Sequence, residues 1–383
     1  MATFLHGSAP EACEESAMEP VGFAVVGLGH IAQTAVLPAF AHAQERARLV
    51  GLVSGDAAKG RELSGRYGVR AWSYDQLDAC LADPAVEAIY VATPNTEHED
   101  VAVRAARAGV HVLCEKPMAT SAGGCEAMIR AAADADVRLM VAYRLHYEPA
   151  NVSTIALVRD GTIGDPRFFA SEFSYQVKPG NIRTREELGG GPLWDLGVYC
   201  VNVARHLFQD EPEEAFAMTT PGGDERFEGV NEGWACLLRF PGDRLASFTV
   251  SFGAATTSRL RLVGTEGDVQ LEPAYEYQGE LVRRLTVGEE SRTERFPPGD
   301  QFAPELIRFA EHVRRGAEPE PSGREGLADV RVIEALLQSA RDQRPVRIAP
   351  VAHPQRPEPN QAMHVPPVEE PEPVRAQAPP QGE

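Results

Sequence analysis

The apolar strand Val21 to Gly27 runs into Gly27-Leu28-Gly29-His30-Ile31-Ala32, and a helical pattern follows. No other feature restricts the fold as much. Gly27 permits the tight turn at the end of a strand, and Gly29 lets backbone approach a pyrophosphate. Ala32 lets the helix pack closely, and the helix N-terminus offers N–H groups and a positive dipole end to phosphate. The pattern carries little weight alone. Between a strand and a helix at the head of a βαβ series, it predicts dinucleotide binding through Gly27, Gly29, His30 and Ile31.

That series continues. Strands are expected at Arg48–Ser54, Ala88–Ala92, His111–Cys114 and Arg138–Tyr143, with helices between them. Alternating strands and helices imply a parallel sheet covered on both faces. After Glu148 the pattern changes. Arg167–Tyr175, Gly233–Phe240, Leu245–Phe252 and Arg259–Val263 read as strands divided by turn signals, and two helices near 304–315 and 324–342 follow. The expected fold class is therefore α/β: an N-terminal Rossmann domain, then an α+β domain with a large, mostly antiparallel open sheet. The divisions are an arm over 1–20, a cofactor domain over 21–147, a substrate and oligomerisation domain over 148–347, and a tail over 348–383. Ten of the thirty prolines lie in that tail, which predicts disorder.

Composition removes several classes. A net charge of −19 argues against nucleic acid as partner. No apolar run approaches the roughly 20 residues that span a bilayer, and no export signal is read at the N-terminus, so the cytoplasm is the expected location. None of the six cysteines forms a CxxC pair, and no His/Asp/Glu cluster has metal-ligand spacing, so no catalytic metal is expected.

The second strand bears on the cofactor. It ends in Ser54-Gly55-Asp56, with Ser54 at the position where NAD enzymes usually place an acid. A hydroxyl does not repel a 2′-phosphate, and Lys59 lies one turn on. NADP is the expected cofactor, bound with Ser54, Gly55 and Lys59. In the rival reading Asp56 binds the ribose and the cofactor is NAD.

Five motifs occur in order: Val25-Val26-Gly27-Leu28-Gly29, Ala92-Thr93-Pro94-Asn95, Cys114-Glu115-Lys116-Pro117, Gly189-Gly190-Gly191 and Asp195-Leu196-Gly197-Val198-Tyr199. Together they resemble the glucose–fructose oxidoreductase, inositol dehydrogenase and rhizopine-catabolism family from Val21 to Arg347. The Val53-Ser54-Gly55 strand end, the run from Lys116 to Ser121 and the Tyr143-Arg144 pair are most similar to the glucose–fructose oxidoreductase subgroup. The resemblance implies a sugar or polyol substrate and a homo-oligomer, dimer or tetramer, built through the C-terminal sheet. It also implies an N-terminal arm that covers the adenine end of the cofactor.

Oxidising a hydroxyl needs a base for its proton and a hydride acceptor, which a nicotinamide supplies. The resemblance places Lys116 at the substrate hydroxyl and the cofactor ribose, where its charge stabilises an alkoxide. Asp195 and Tyr199 share a face if their segment is helical. Tyr199 is assigned as general acid/base, Lys116 as its electrostatic partner, and Asp195 as substrate anchor or orienter. Thr93, Pro94 and Asn95 are expected to line the nicotinamide and ribose, and Glu115 to contact the cofactor. His98 is a cofactor neighbour or a helix cap. Arg144 contacts cofactor or serves as an ion-pair partner, and Tyr143 and Arg183 are expected at the substrate. His42, His206 and His312 read as ordinary surface or packing residues. Three functions remain open: an aldose oxidoreductase that keeps its NADP, an NADP-dependent aldose or polyol dehydrogenase that exchanges it, and a non-catalytic NADP(H) sensor.

Overall fold

The computed structural model describes residues 18–352 and 355–377. Most of the N-terminal arm, with Phe4 and Leu5, lies outside them.

The first sheet is built from β1 (Val21–Val26), β2 (Ala47–Val53), β3 (Arg70–Trp72), β4 (Ala88–Val91), β5 (His111–Glu115) and β6 (Leu139–Ala142). Its order is β3-β2-β1-β4-β5-β6, with every pairing parallel. Every residue of β1 is buried, because both sheet faces are covered. Phe23 and Val25 face a core completed by Phe40 and Phe309, while Ala24 and Val26 face one with Val53, Ile89 and Val101. The strand order reverses between β1 and β4, so a crevice opens where both strands end. Gly27 and Thr93 meet there: a Cβ on Gly27, at φ +94°, would lie 2.7 Å from the Thr93 nitrogen.

The second sheet holds β7 (Pro166–Ser174), β8 (Glu214–Thr220), β9 (Gly233–Phe240), β10 (Arg244–Ser251), β11 (Thr257–Gly264), β12 (Gly267–Leu271), β13 (Leu281–Val287), β14 (Glu290–Phe296) and β15 (Val346–Arg347). Its order is β14-β13-β12-β11-β7-β10-β9-β8-β15. Only β7 and β10 pair in parallel. Alternation in β9 buries Trp234, Cys236, Leu238 and Phe240 against the helices Val198–Phe208 and Gly323–Asp342. The opposite face leaves Phe168, Met218, Leu237 and Leu245 exposed. Six strands were not read from the sequence: β3 and β15 are very short, β8, β12 and β13 alternate over only a few residues, and β14 is almost wholly exposed and polar.

Between the two helices and the first sheet lies a buried polar network. The Arg205 guanidinium, fully buried, binds Glu325 at 2.7 Å and also reaches Asp329 and Glu211. His206 Nε2 lies 2.9 Å from Glu325, and His146 bonds Asn202 and Glu320. His206, read from sequence as an ordinary packing residue, belongs to a network drawn from segments far apart in the chain. His146, His206 and Glu325 lie close enough to surround an ion, but the shared Glu325 oxygen already accepts from Asn202, Arg205 and His206.

The described residues of the tail, 348–352 and 355–377, depart from its expected disorder. Met363 N–H donates to Tyr147 O at 2.9 Å, and Asp300 N–H donates to Val365 O at 2.9 Å. Arg308 donates to Asn360 O at 2.9 Å, and Glu358 pairs with Arg159 at 2.8 Å. Val374 is buried in the core beneath β1. Proline removes N–H groups but leaves carbonyls, and Asp300 and Arg308 of the body donate to such carbonyls. Low hydrophobicity keeps such a segment from forming its own core; it does not keep it from docking on one already formed.

Candidate active site

The glycine turn delivers a helical run that begins at His30 and takes π form over Ala32–Val36. Gly29 faces open space on its Cβ side. The first N–H groups of this run lack intrahelical acceptors. Beside them the buried hydroxyl of Thr93 has no protein partner among the described residues. An open glycine, free amides and an orphaned hydroxyl at a sheet switch point fit a dinucleotide.

Ser54 is buried at the end of β2, and its oxygen accepts from Asp56 N–H at 3.2 Å. Asp56 caps the next helix, accepting from Ala58 and Lys59 at 3.0 and 3.1 Å, and its second oxygen pairs with Arg375 at 2.9 Å. These partners occupy the carboxylate that the NAD reading requires at the ribose. Lys59 is half-buried in the same first turn.

Opposite this end, Lys116 stands where β5 gives way to its loop. Its Nζ donates to Asp195 Oδ1 and to Asp195 O, both at 3.0 Å. Asp195 Oδ2 accepts from Arg183 Nε at 2.9 Å and from the Tyr175 hydroxyl at 2.8 Å. Burial works to raise the Asp195 pKa, but Lys116 and Arg183 more than offset it and hold the carboxyl well below its usual range. Burial likewise works to lower the Lys116 pKa, and Asp195, Tyr199 and Glu115 reverse that, so the group stays an ammonium. It can stabilise negative charge but cannot serve as a base.

The helix that carries this pair begins with a π turn, Leu193–Gly197, and continues as α-helix over Val198–Phe208. Such turns often sit at functional sites. Asp195 and Tyr199 both reach Lys116, but Tyr199 presents its ring: Nζ lies 4.5 Å from the ring centroid. The Arg144 guanidinium also stands over this ring, its carbon 5.0 Å from the centroid. Sequence reasoning gave Tyr199 one cationic neighbour, Lys116; Arg144 is a second. Arg144 is itself buried and donates to Gln301 Oε1 and Tyr275 O.

Other expected residues divide. Asn95 Nδ2 donates to Gly189 O at 2.8 Å, joining the loop after β4 to the triglycine loop. A Cβ on Gly189, at φ +74°, would lie 2.8 Å from Asn95 Cβ, so that contact requires glycine. His30 feels Arg183 and Lys178 across the same cleft: burial first, then these cations, lower its pKa. Gly29, His30, Ile31 and Pro94 line the cleft with partial exposure. Glu115 accepts from Tyr90 at 2.8 Å and from Lys116 N–H at 3.2 Å, bracing the lysine loop. His98 is fully enclosed, its ring nitrogens 2.9 and 3.1 Å from the carbonyls of Pro117 and Thr93. It is a brace between the two loops. Tyr143 does not reach the cleft: it stacks on His146 at 5.4 Å, with its hydroxyl beside Asp329. Its neighbour Arg144 takes the site-facing direction. Sequence reasoning missed Tyr175, Gln301 and Tyr275. Tyr175 follows the last residue of β7, a strand end facing the cleft, and that position was its only signal.

A polar pair that can carry charge beside a tyrosine, facing a cleft shaped for a dinucleotide, is the equipment of a nicotinamide-dependent oxidoreductase. Comparison with known proteins agrees. Residues 21–143 match the family model described as an oxidoreductase family with NAD-binding Rossmann fold, and residues 154–270 match the GFO/IDH/MocA C-terminal domain. The chain belongs to the GFO/IDH/MocA oxidoreductase family. It is 31% identical over 322 residues to a D-xylose 1-dehydrogenase (NADP(+)) of Haloferax volcanii, covering 83% of this chain and 97% of that one. It is also similar to the aldose-aldose oxidoreductase of Caulobacter crescentus complexed with glycerol, with TM-score 0.82, 36% identity and coverage of 86% and 100%. A 3-ketoreductase of Actinomadura kijaniata in complex with NADP and TDP-benzene aligns with TM-score 0.77, 27% identity and coverage of 84% and 98%. No described helix is long and apolar enough to cross a membrane.

Proposed function

We propose that this chain is an NADP-dependent sugar oxidoreductase that moves a hydride between C1 of an aldose and the nicotinamide. The observation that carries the reading is the Lys116–Asp195 ion pair, set against the ring of Tyr199. The names of the Haloferax and Caulobacter relatives support an aldose. Asp56, engaged as a cap and ion-paired to Arg375, leaves Ser54 and Lys59 to meet a 2′-phosphate, which favours NADP over NAD.

When bound, the nicotinamide accepts or returns the hydride. Asp195, held ionised, fixes Lys116 with two hydrogen bonds. Lys116 stabilises the substrate alkoxide as charge develops. As phenolate, Tyr199 takes the hydroxyl proton during oxidation; as phenol, it returns that proton during reduction. Arg144 and Lys116, both over its ring, offset the phenolate charge present before oxidation and after reduction. Arg183 orients Asp195 and lies beside His30, where it can meet a sugar hydroxyl. Thr93, Pro94 and Asn95 would hold the nicotinamide and ribose. We assign oligomerisation to the exposed face of the second sheet around Phe168, Met218 and Leu237.

Two cofactor cycles are compatible with this site. In one the NADP stays bound between two sugars; in the other, supported by the similarity to D-xylose 1-dehydrogenases, it exchanges. Extracting nucleotide from denatured protein and assaying a panel of aldoses with and without added NADP separates them. Turnover between two sugars with no added cofactor supports retention, and a strict need for added NADP supports exchange.

A further inference from the structure

The C-terminal tail ends its described course at the adenosine end of the dinucleotide crevice. Gln33, fully buried in the helix after the glycine turn, binds both main-chain groups of Val374: it accepts from its N–H at 2.7 Å and donates to its carbonyl at 3.0 Å. The same amide nitrogen donates to Leu28 O at 2.8 Å, within the glycine turn itself. Arg66 donates to Glu372 O at 3.0 Å, so the segment is held on both sides of Pro373. At Arg375 the backbone turns through a left-handed conformation, φ 49°. That turn sets the guanidinium on Asp56, 2.9 Å away, beside Lys59.

We propose that residues 372–375 form a strap over the adenosine end of the cleft, and that Arg375 joins Lys59 and Ser54 in a site for the 2′-phosphate of NADP. This rests on the NADP reading above. Two cations here face one carboxylate, and its oxygens already hold two helix amides and the guanidinium. Lys59 registers the crowding: burial chiefly, with Arg375 adding to it and Asp56 opposing, lowers its pKa. A phosphate dianion relieves the repulsion, whereas a 2′-hydroxyl does not. Arg375 also covers the acid that would otherwise repel that phosphate and welcome a ribose hydroxyl, and so acts twice on cofactor choice.

Titration of the full-length chain, freed of nucleotide with charcoal, tests the strap through binding alone. Arg375→Ala is expected to weaken NADP about ten-fold, the usual size for a charge-assisted phosphate contact, with NAD unchanged or tighter. Arg375→Lys should recover part of the loss. In the wild-type chain, saturating NADP should slow trypsin at the Arg375–Ala376 bond and saturating NAD should not. A wild type that prefers NADP while Arg375→Ala keeps that preference whole would overturn the strap and leave the cofactor assignment standing. A wild type that binds NAD at least as tightly would overturn both. Equal protection of the bond by the two cofactors would also count against the strap.

Discussion

Lys116 is bound twice by Asp195, through a carboxylate oxygen and through the main-chain carbonyl, each at 3.0 Å. The doubled contact locks the ammonium between the sheet edge of one domain and the first helical turn of the other. It also separates charge from position. Asp195→Asn removes the ion pair but keeps the carbonyl contact, whereas Lys116→Ala removes both.

Lys116→Ala is expected to lower kcat by about 10²–10³, the size of a lost group that stabilises transition-state charge. Asp195→Asn should cost less. Nucleotide titration should show cofactor binding weakened only slightly in both. Wild-type turnover in Lys116→Ala would remove the lysine from the chemistry.

Tyr199→Phe keeps the ring beneath Lys116 and Arg144 and removes the hydroxyl. It should fold and bind cofactor, with kcat falling by roughly two orders of magnitude or more. Steady-state kinetics with a good aldose substrate checks this, and near-normal kcat would mean that the proton travels by another route.

A chain ending at Ala349 should melt several degrees lower than the full chain. It loses the Val374 side chain, whose burial is worth about 2 kcal/mol, and the bonds from Arg308, Tyr147 and Gln33. Calorimetry reads the difference. An unchanged Tm would show that the tail rests on the body without stabilising it.

The buried network gives a pH prediction. Burial, offset in part by Glu325 and reinforced by His146 and Arg205, holds His206 at about 3, below its unfolded value of about 6.5. A depressed histidine favours the folded state fully above the unfolded pKa, and that contribution is lost as pH falls from about 6.5 toward 3. Between pH 7.5 and 5 the wild type should lose roughly 2 kcal/mol more stability than His206→Gln. Denaturant unfolding at both values tests it, and parallel losses in the two proteins would remove His206 as the cause.

The first sheet was legible because its strands are short apolar runs set between helical patterns, and each boundary fell within a residue or two of Val21–Val26, Ala47–Val53 and Ala88–Val91. The site was legible where chemistry sits in contiguous motifs, as at Cys114-Glu115-Lys116-Pro117. It was obscure where the contact is tertiary. Tyr175 reaches Asp195 across 20 residues, and Gln301 reaches Arg144 across 157. Tyr143 and Arg144 are neighbours in sequence, yet only one faces the cleft, since their side chains leave the chain in different directions. The tail misled because composition reports what a segment can bury by itself, whereas Val374 borrows a core built by β1 and the helix Ala303–Arg315.

The central claim is hydride transfer between NADP and the C1 carbon of an aldose at the Lys116–Tyr199 site. The direct test follows deuterium from a 1-deuterated aldose such as xylose or glucose into the reduced nicotinamide by mass spectrometry, with the wild type beside Tyr199→Phe. The expected result is label on the nicotinamide, the matching lactone or aldonic acid as product, and a rate that collapses in the variant. No label from any aldose in the panel, or equal transfer by Tyr199→Phe, would contradict it.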